Sequence, residues 1–185
     1  MEYPVFYIYT FFEEANNVKI EYKKGDILAP VADGRKMILC NQVNCKGAMG
    51  AGFARNVKEK YPDVEEAYKR ECRRIKSMRE VQHDYRTGLG NVQFFPVLND
   101  NLYIANMFAQ NSYGTDKRQT DYDAFEVCMT TVKNFAEKLN SDVVIRIPYQ
   151  IGCGLAGGDW EVIEKITTRI LGEPSEHVSV EIWKQ

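Results

Sequence analysis

The sequence predicts an α/β protein, a three-layer α/β/α sandwich around a mixed, mostly parallel central sheet. Strand-like and helix-like segments alternate along the chain, which is typical of this architecture. Two of the strand-like segments are almost wholly apolar, as expected for central strands covered on both faces. The 185 residues suit one domain with a sizeable core, so we expect a single domain over residues 1–185.

The predicted strands are recognised by β-branched and aromatic content and by either alternation or a continuous apolar run. They cover residues 5–9, 18–22, 36–43, 91–97, 102–108, 143–147 and 177–183. The connection at Asn99, Asp100 and Asn101 has the composition of a hairpin turn, so the strands on either side of it are expected to pair antiparallel. Antiparallel strands are therefore expected near the edges of the sheet.

The predicted helices show apolar residues on one stripe, at spacings of three and four residues. They cover residues 51–60, 63–76, 121–139 and 159–171. Pro62 separates the first two, and Asp63 is the expected cap of the second. Asp159 is the expected N-cap of the last helix.

Composition and charge exclude several classes of function. The net charge of −2 argues against a dedicated nucleic-acid binder, which would usually present a basic face. Apolar runs of membrane-spanning length are missing from the sequence, and the first residues do not resemble a signal peptide. We therefore expect a cytoplasmic protein without a membrane partner.

The five cysteines form no CxxC pair, so neither a disulfide framework nor a zinc site is indicated. Cys40, Cys72 and Cys128 lie in apolar patterns and are expected to pack as small hydrophobic residues. Cys153 lies in a glycine-rich turn, where it is either a small residue filling tight space or a nucleophile.

Two glycine-rich turns are the most informative segments of the chain. One is Gly47-Ala-Met-Gly-Ala-Gly-Phe53, and the other runs from Ile151 to Gly158 with glycines at 152, 154, 157 and 158. Each follows a predicted strand and leads into a predicted helix, where unpaired N–H groups and the positive end of the helix dipole favour an anion. Because the carboxyl ends of parallel strands meet at one edge of a sheet, both turns predict a diphosphate held from two sides.

Residues 41–54, Asn-Gln-Val-Asn-Cys-Lys-Gly-Ala-Met-Gly-Ala-Gly-Phe-Ala, resemble the macrodomain family, which binds ADP-ribose. Asn41 and Asn44 fall on the asparagine positions of the family pattern. Residues 24–27, Lys-Gly-Asp-Ile, match an upstream family signature, and residues 151–155, Ile-Gly-Cys-Gly-Leu, match the second phosphate loop of the branch that contains the terminal ADP-ribose protein glycohydrolase. The continuation Gly-Gly-Asp-Trp is similar to bacterial and phage proteins of ADP-ribose-1″-phosphate processing.

The resemblance implies roles for individual residues. The Asp26 carboxylate is expected to accept a hydrogen bond from the adenine amino group, and its alternative role is that of a turn residue. Phe53 and Phe108 are expected either to cover a ring of the ligand or to pack in the core. The complete ligand-binding set that the resemblance implies is Asp26, Ile27, Asn41, Met49, Gly50, Ala51, Gly52, Phe53, Phe108, Ile151, Gly152, Cys153, Gly154, Leu155 and Ala156.

The sequence departs from the glycohydrolase pattern at two catalytic positions. That enzyme uses a lysine after the strand that here ends near Met107, and an aspartate where this chain has Ala156. The remaining catalytic candidates are Asn44, which can orient a ribose hydroxyl or a water, and Asp159, which is otherwise a helix cap. His83 is a further general-base candidate, with a plain surface position as its alternative.

These residues predict a hydrolase that acts on ADP-ribose-1″-phosphate, as a phosphatase, or on an ADP-ribosylated group. The expected ligand is ADP-ribose or a derivative, with an ADP-ribosylated protein or nucleic acid as a further candidate partner, and no metal or redox cofactor is expected. The alternative function is a non-catalytic ADP-ribose reader. An unrelated nucleotide-binding α/β protein is a third hypothesis, without a P-loop or GxGxxG motif to support it.

Overall fold

A computed structural model describes residues 20–97, 101–173 and 175–184. The predicted strand 5–9, the start of the strand 18–22 and the turn residues Asn99 and Asp100 lie outside the described residues. The described strands are β1 (Ile20–Lys24), β2 (Lys36–Asn44), β3 (Val92–Val97), β4 (Leu102–Gln110), β5 (Val143–Pro148) and β6 (Val178–Lys184). The helices are α1 (Gly52–Lys60), α2 (Pro62–Gln82), α3 (Tyr122–Lys138) and α4 (Trp160–Leu171).

The described strands form one sheet in the order β1-β6-β5-β2-β4-β3. All neighbours pair parallel except β3, which pairs antiparallel with β4 at one edge. The mixed, mostly parallel sheet and the antiparallel β3–β4 hairpin are therefore confirmed. At the opposite described edge β1 is parallel to β6, so the expectation of antiparallel strands holds at one edge only.

Helices cover both faces of the sheet because alternate residues of the strands point to opposite sides. Ile38 and Cys40 of β2 pack with α3 and α4 in the largest apolar cluster. Met37 and Leu39 of the same strand pack against Val57 of α1 on the other face. The three-layer α/β/α sandwich is confirmed, and Cys40, Cys72 and Cys128 are buried in it as predicted.

The second helix differs from the prediction at both ends. It begins at Pro62, directly after a Tyr61 N-cap that makes no side-chain cap hydrogen bond, so the expectation that Asp63 caps it is wrong. Proline suits the first turn because the missing N–H would be unpaired there in any case. The helix continues six residues past the predicted end at Lys76, and in this added part the Arg79 guanidinium donates to the Thr87 carbonyl and to Asn111 Oδ1, both at 2.7 Å.

The carboxyl ends of β1, β6, β5, β2 and β4 lie along one edge of the sheet, in this order. Both glycine-rich turns leave the sheet at this edge, the first after β2 and the second after β5. Parallel topology therefore brings together segments that are about 100 residues apart in sequence. Within the described residues, none of the helices is long and apolar enough to cross a membrane.

Candidate functional site

A cleft of about 850 Å³ runs along the carboxyl edge of the sheet. At one end the cleft is lined by Ile27, which follows β1, and by Trp183 of β6. At the other end it is lined by Gln110, the last residue of β4, and by Tyr113. The two glycine-rich turns form its facing walls. Of the predicted ligand-binding set, these residues line it: Ile27, Asn41, Gly50, Ala51, Gly52, Phe53, Ile151, Gly152, Gly154, Leu155 and Ala156; Asn44 lines it as well.

The first glycine loop is folded around the side chain of Asn44, at the end of β2. The Asn44 carboxamide oxygen accepts from the amides of Lys46 and Ala48 at 2.9 and 3.2 Å, and its Nδ2 donates to the Ala48 carbonyl at 2.7 Å. The hydroxyl of Tyr68 in α2 also donates to Asn44, with its backbone and side-chain oxygens at 2.7 and 2.9 Å. Asn44 is thus the organiser of this loop, because the protein already uses its Oδ1 and one of its two Nδ2 protons.

The first loop leads directly into helix α1, whose N-terminus has no side-chain cap. Ala51 is the N-cap of α1 and makes no side-chain cap hydrogen bond. The amides of Gly52, Phe53 and Ala54 begin the helix and have no acceptor in the described part of the chain. These N–H groups and the positive end of the helix dipole lie on the cleft wall, an arrangement that favours an anion.

The second glycine loop is held by backbone contacts. The Gly158 amide donates to the Gly152 carbonyl at 2.8 Å and the Gly157 amide donates to the Gly154 carbonyl at 3.0 Å. The Ala156 carbonyl accepts from the amides of Gln119 and Thr120, the segment before α3, at 2.8 and 3.1 Å. The loop is therefore fixed on its outer side.

The inner side of the second loop presents free donors to the cleft. The amides of Gly152, Gly154, Leu155 and Ala156 donate to no acceptor among the described residues, and all four residues line the cleft. A run of unpaired amides on a concave wall is typical of anion binding. Two such walls face each other across the cleft.

Glycine is required in the second loop at two positions. Gly152 has φ +73°, and a Cβ there would lie 2.9 Å from the Gln42 carboxamide carbon and overlap the amide oxygen. A Cβ on Gly158 would lie 2.6 Å from the Gly152 carbonyl oxygen. At Gly154, by contrast, a Cβ would meet no atom within 4 Å, so the protein itself does not require glycine there.

Amide side chains form the floor of the far end. Gln42 Nε2 donates to Gln110 Oε1 and to Thr120 Oγ1, both at 2.9 Å. Beside them, Asn41 Nδ2 donates to Asn106 Oδ1 at 2.8 Å. The Oδ1 of Asn41 and the Oε1 of Gln42 are buried and have no hydrogen-bond partner among the described residues. The floor is therefore polar and uncharged.

At the other end, a buried ion pair supports the loop after β1. Arg146 of β5 pairs with Glu181 of β6 at 2.9 Å, and its guanidinium donates to the carbonyls of Ile27 and Ala29 at 3.1 and 2.6 Å. The Trp183 ring lies over the same guanidinium, 4.6 Å away, and its indole N–H donates to Glu181. This support fixes Ile27 and presents Trp183 to the cleft.

Asp26 lies beside this end without being one of the residues that line it. Its Oδ1 accepts from the Leu28 amide at 2.8 Å, which is the turn role that the sequence left open. Its side chain is 64% exposed, and its Oδ2 lies 4.0 Å from the Lys60 ammonium. The outer carboxylate oxygen therefore remains accessible to a ligand at the cleft mouth.

Besides Asp26, three further predicted ligand residues do not line the cleft. Phe108 is completely buried against Tyr68, with ring centroids 5.8 Å apart, so the expectation that it covers a ligand ring is wrong. Met49 is buried in the same apolar cluster. Cys153 turns away from the cleft and packs against the main core. Each has the apolar packing role that small and aromatic residues near a loop commonly take.

Asp159 caps α4 and does not line the cleft. Its carboxylate accepts from the Glu161 amide at 2.9 Å, and its side chain is exposed. Burial raises the pKa of the Cys153 thiol to about 11, with the nearby Asp159 charge as a smaller cause, so this thiol is protonated at neutral pH and is not an activated nucleophile. His83 ends α2 on an exposed surface and His177 precedes β6, at the opposite edge of the sheet.

Strand β4 ends at Gln110, two residues beyond the predicted end at residue 108. Met107 is completely buried in the core, and the residue of β4 that reaches the cleft is Gln110. The expectation that Met107 occupies the position of the glycohydrolase lysine stays a prediction. The side chain at the strand end is a neutral amide instead of an amine.

Sequence reasoning missed Gln42, Gln110, Thr120, Tyr113 and Trp183. Gln42 and Gln110 had one available signal, since both are polar residues at the ends of apolar strands that were expected at the ligand edge. Trp183 was assigned to an alternating strand. Only the parallel pairing of β6 with β1 places it near Ile27. Tyr113 is 61% exposed at the far rim, where the sequence shows only a polar loop.

No protein-family model matches the chain. Among curated proteins, it is 26% identical over 180 residues to the ADP-ribose 1″-phosphate phosphatase of Saccharomyces cerevisiae, with 84% of this chain and 95% of that protein covered. It is 29% identical over 146 residues to the DNA ADP-ribosyl glycohydrolase of Mycobacterium tuberculosis, with 79% of this chain and 37% of that protein covered.

Solved structures share the fold over most of the chain. A Bacteroides thetaiotaomicron protein of unknown function is 33% identical with a TM-score of 0.73, covering 92% of this chain and 100% of that one. A macrodomain protein from Streptomyces coelicolor is 28% identical with a TM-score of 0.66, covering 90% of this chain and 99% of that one. The Thermosipho africanus DarTG protein in complex with ADP-ribose has the same fold, with a TM-score of 0.62 at 19% identity over 90% of this chain and 42% of that one.

Proposed function

Since the chain belongs to the macrodomain family, we propose that it binds ADP-ribose along the cleft and hydrolyses an ADP-ribose derivative there. The observation that carries this proposal is the pair of facing walls with unpaired amides, at Gly52–Ala54 and at Gly154–Ala156. A diphosphate has acceptor oxygens on both phosphates and fits between two sets of donors.

The adenosine end is proposed to lie toward β1 and β6. There the outer oxygen of Asp26 accepts the adenine amino group, while Trp183 and Ile27 offer apolar surface to the ring. The distal ribose then lies at the far end, above the Gln42 and Gln110 amides. This direction follows from the proposed adenine role of Asp26, because Asp26 follows β1 and Gln110 ends β4, and these strands are four places apart in the sheet.

The proposed chemistry is direct attack by water. Gln110 stands at the end of β4 as a neutral amide, so no amine from this strand is available to form a covalent bond with the sugar. Attack of water on phosphorus would release ADP-ribose and inorganic phosphate from ADP-ribose-1″-phosphate. Attack of water on the anomeric carbon would release ADP-ribose and the free hydroxyl or amide of a modified group.

One observation favours the alternative, a non-catalytic ADP-ribose reader. Among the described residues that line the cleft there is no Asp, Glu, His, Lys or Cys, so tyrosine is the one common general-base residue type on its walls. A neutral cleft with amide donors is sufficient for binding a dianion without chemistry.

The deciding experiment uses the purified protein with ADP-ribose-1″-phosphate and with ADP-ribosylated protein and DNA. Release of phosphate or of free ADP-ribose supports the hydrolase, and binding of ADP-ribose without turnover of any substrate supports the reader. Absence of ADP-ribose binding at millimolar concentration in calorimetry contradicts both. Asp26→Ala is expected to weaken ADP-ribose binding by about tenfold, because it removes the adenine acceptor, whereas the exposed Asp63→Ala is the matched control without effect.

A further inference from the structure

We propose that Thr120 is a positioning residue for the second glycine loop and that it acts as a hydroxyl relay between Gln42 and Gly152. The inference rests on the proposed function, because the loop that Thr120 positions is the proposed diphosphate wall. Thr120 itself is 2% exposed and does not line the cleft, so it acts through the loop.

The relay joins the carboxyl ends of three strands. Thr120 is bridged to Gln110 at the end of β4, Gln42 is in β2, and Gly152 follows β5. The Thr120 hydroxyl donates to the Gly152 carbonyl at 2.7 Å and accepts from Gln42 Nε2 at 2.9 Å. The Gly152 carbonyl is therefore held by Thr120, which is itself fixed by Gln110 of β4 and by Gln42 of β2.

The donor and acceptor of each hydrogen bond in the relay are determined by the two backbone carbonyls at its ends, those of Ser112 and Gly152. Gln110 Nε2 donates to the Ser112 carbonyl at 2.9 Å, so Gln110 Oε1 must face Gln42 as an acceptor. The Thr120 hydroxyl proton goes to the Gly152 carbonyl, so its oxygen faces Gln42 as an acceptor too. Gln42 accordingly places its NH₂ group between both acceptors and its carbonyl against Gly152.

The consequence for the loop is a single arrangement of its free amides. The Gly152 carbonyl also accepts the Gly158 amide at 2.8 Å, which closes the loop, and the Thr120 and Gln119 amides hold the Ala156 carbonyl. The amides of Gly154, Leu155 and Ala156 lie between these two fixed carbonyls. Losing the hydroxyl leaves the Gly152 carbonyl bonded to the Gly158 amide alone and so loosens one end of the segment, and a donor set that must be ordered on binding has a lower affinity.

The test compares Thr120→Val, which keeps the shape and removes the hydroxyl, with Thr120→Ser, which restores the hydroxyl. We expect Thr120→Val to weaken ADP-ribose binding by at least about fivefold and Thr120→Ser to bind within about twofold of the wild type. The matched control is Thr167→Val, which removes another fully buried hydroxyl, bonded to the Ile163 carbonyl within α4. It is expected to change stability without changing affinity.

Gln42→Leu tests the other half of the relay. Because the two residues act as one unit, Gln42→Leu combined with Thr120→Val is expected to bind about as well as the weaker single variant. Unchanged affinity of Thr120→Val, failure of Thr120→Ser to rescue, or an equal loss in Thr167→Val overturns the inference, as does full additivity of the double variant.

A ligand-free measurement separates this inference from the proposed function. Amide exchange followed by NMR is expected to quicken at Gly158 and Gln119 in Thr120→Val, because both amides are bonded to carbonyls of the freed loop. If the wild type fails to bind ADP-ribose, the proposed function is wrong and these exchange rates alone decide the positioning role. Unchanged exchange at both amides contradicts it.

Discussion

The two glycine loops of the cleft present the same chemistry and are built in opposite ways. The first is folded around one side chain, Asn44, and ends in a helix whose N-terminus has no protein cap. The second is folded by backbone hydrogen bonds and by the segment before α3, and the helix after it is capped by Asp159. In the first loop the helix start itself supplies free amides, whereas in the second the loop supplies them and the helix start does not.

The difference predicts which substitutions will disrupt each loop. A loop organised by one buried side chain is lost with that side chain, because several backbone groups lose their partner together. A loop organised by its backbone is sensitive instead to a Cβ at the positions where the chain approaches itself. The following substitutions separate the two designs, beginning with the largest expected effect.

Asn44→Ala is expected to lower the free energy of unfolding by about 3 kcal/mol, since the Lys46 and Ala48 amides and the Ala48 carbonyl lose their partner. ADP-ribose affinity is expected to fall with it. Urea denaturation and calorimetry measure the two effects, with the exposed Asn134→Ala as control. A variant of normal stability that loses only turnover would instead show that Asn44 is catalytic.

Gly152→Ala and Gly154→Val distinguish folding from binding within the second loop. Gly152→Ala is expected to destabilise the protein by about 2 kcal/mol, because its positive φ and its contact with Gln42 both oppose a side chain. Gly154→Val is expected to leave stability unchanged and to lower ADP-ribose affinity by about tenfold, or roughly 1.4 kcal/mol, because only a ligand occupies the space beside it. Normal binding by Gly154→Val would show that this wall does not contact the diphosphate.

Ala51→Asp would give the first helix the cap that it does not have. Ala51 has the extended backbone of an N-cap, so the carboxylate is expected to stabilise the free protein by about 1 kcal/mol. The same negative charge would occupy the anion wall and is expected to lower ADP-ribose affinity by about tenfold. The unfolding temperature is therefore expected to rise, while the ADP-ribose affinity measured by calorimetry is expected to fall. A variant that is more stable and binds normally would remove the first loop from the proposed site.

Asp159→Ala provides the reverse experiment on the second helix. Loss of the cap is expected to lower the free energy of unfolding by about 1 kcal/mol without changing ADP-ribose binding or turnover. A general base would instead slow turnover by about 10²–10⁴-fold. Asp159→Asn, which keeps an acceptor for the Glu161 amide, is expected to restore most of the stability.

Cys153→Ser is expected to have the smallest effect. With a pKa of about 11, roughly one Cys153 thiol in 3,000 is ionised at pH 7.5, so iodoacetamide should label it slowly in the folded protein. Raising the pH toward 11 increases the thiolate fraction and hence the labelling rate. Rapid labelling at neutral pH, or loss of turnover in Cys153→Ser, would contradict the packing role.

Prediction from sequence was most successful where a pattern is local. The antiparallel pairing of β3 with β4, the cap of α4 and the glycine turns after β2 and β5 depend on residues that are close together in the chain. It failed where the deciding contact is distant. The extra length of α2 is accompanied by hydrogen bonds from Arg79 to Thr87 and Asn111, and the burial of Phe108 depends on Tyr68, which lies 40 positions before it.

The sequence by itself determined that two glycine-rich turns follow buried strands. The apolar strand, the glycines and the start of the next helix are all recognised from residues that are consecutive in the chain. It also determined that β4 offers no lysine at its end. Only the tertiary structure decided which side chains face the ligand. Gln42, Thr120 and Gly152 meet because parallel pairing brings the ends of three separate strands to one edge, and a side chain's orientation there depends on strand register and on partners that no local pattern contains.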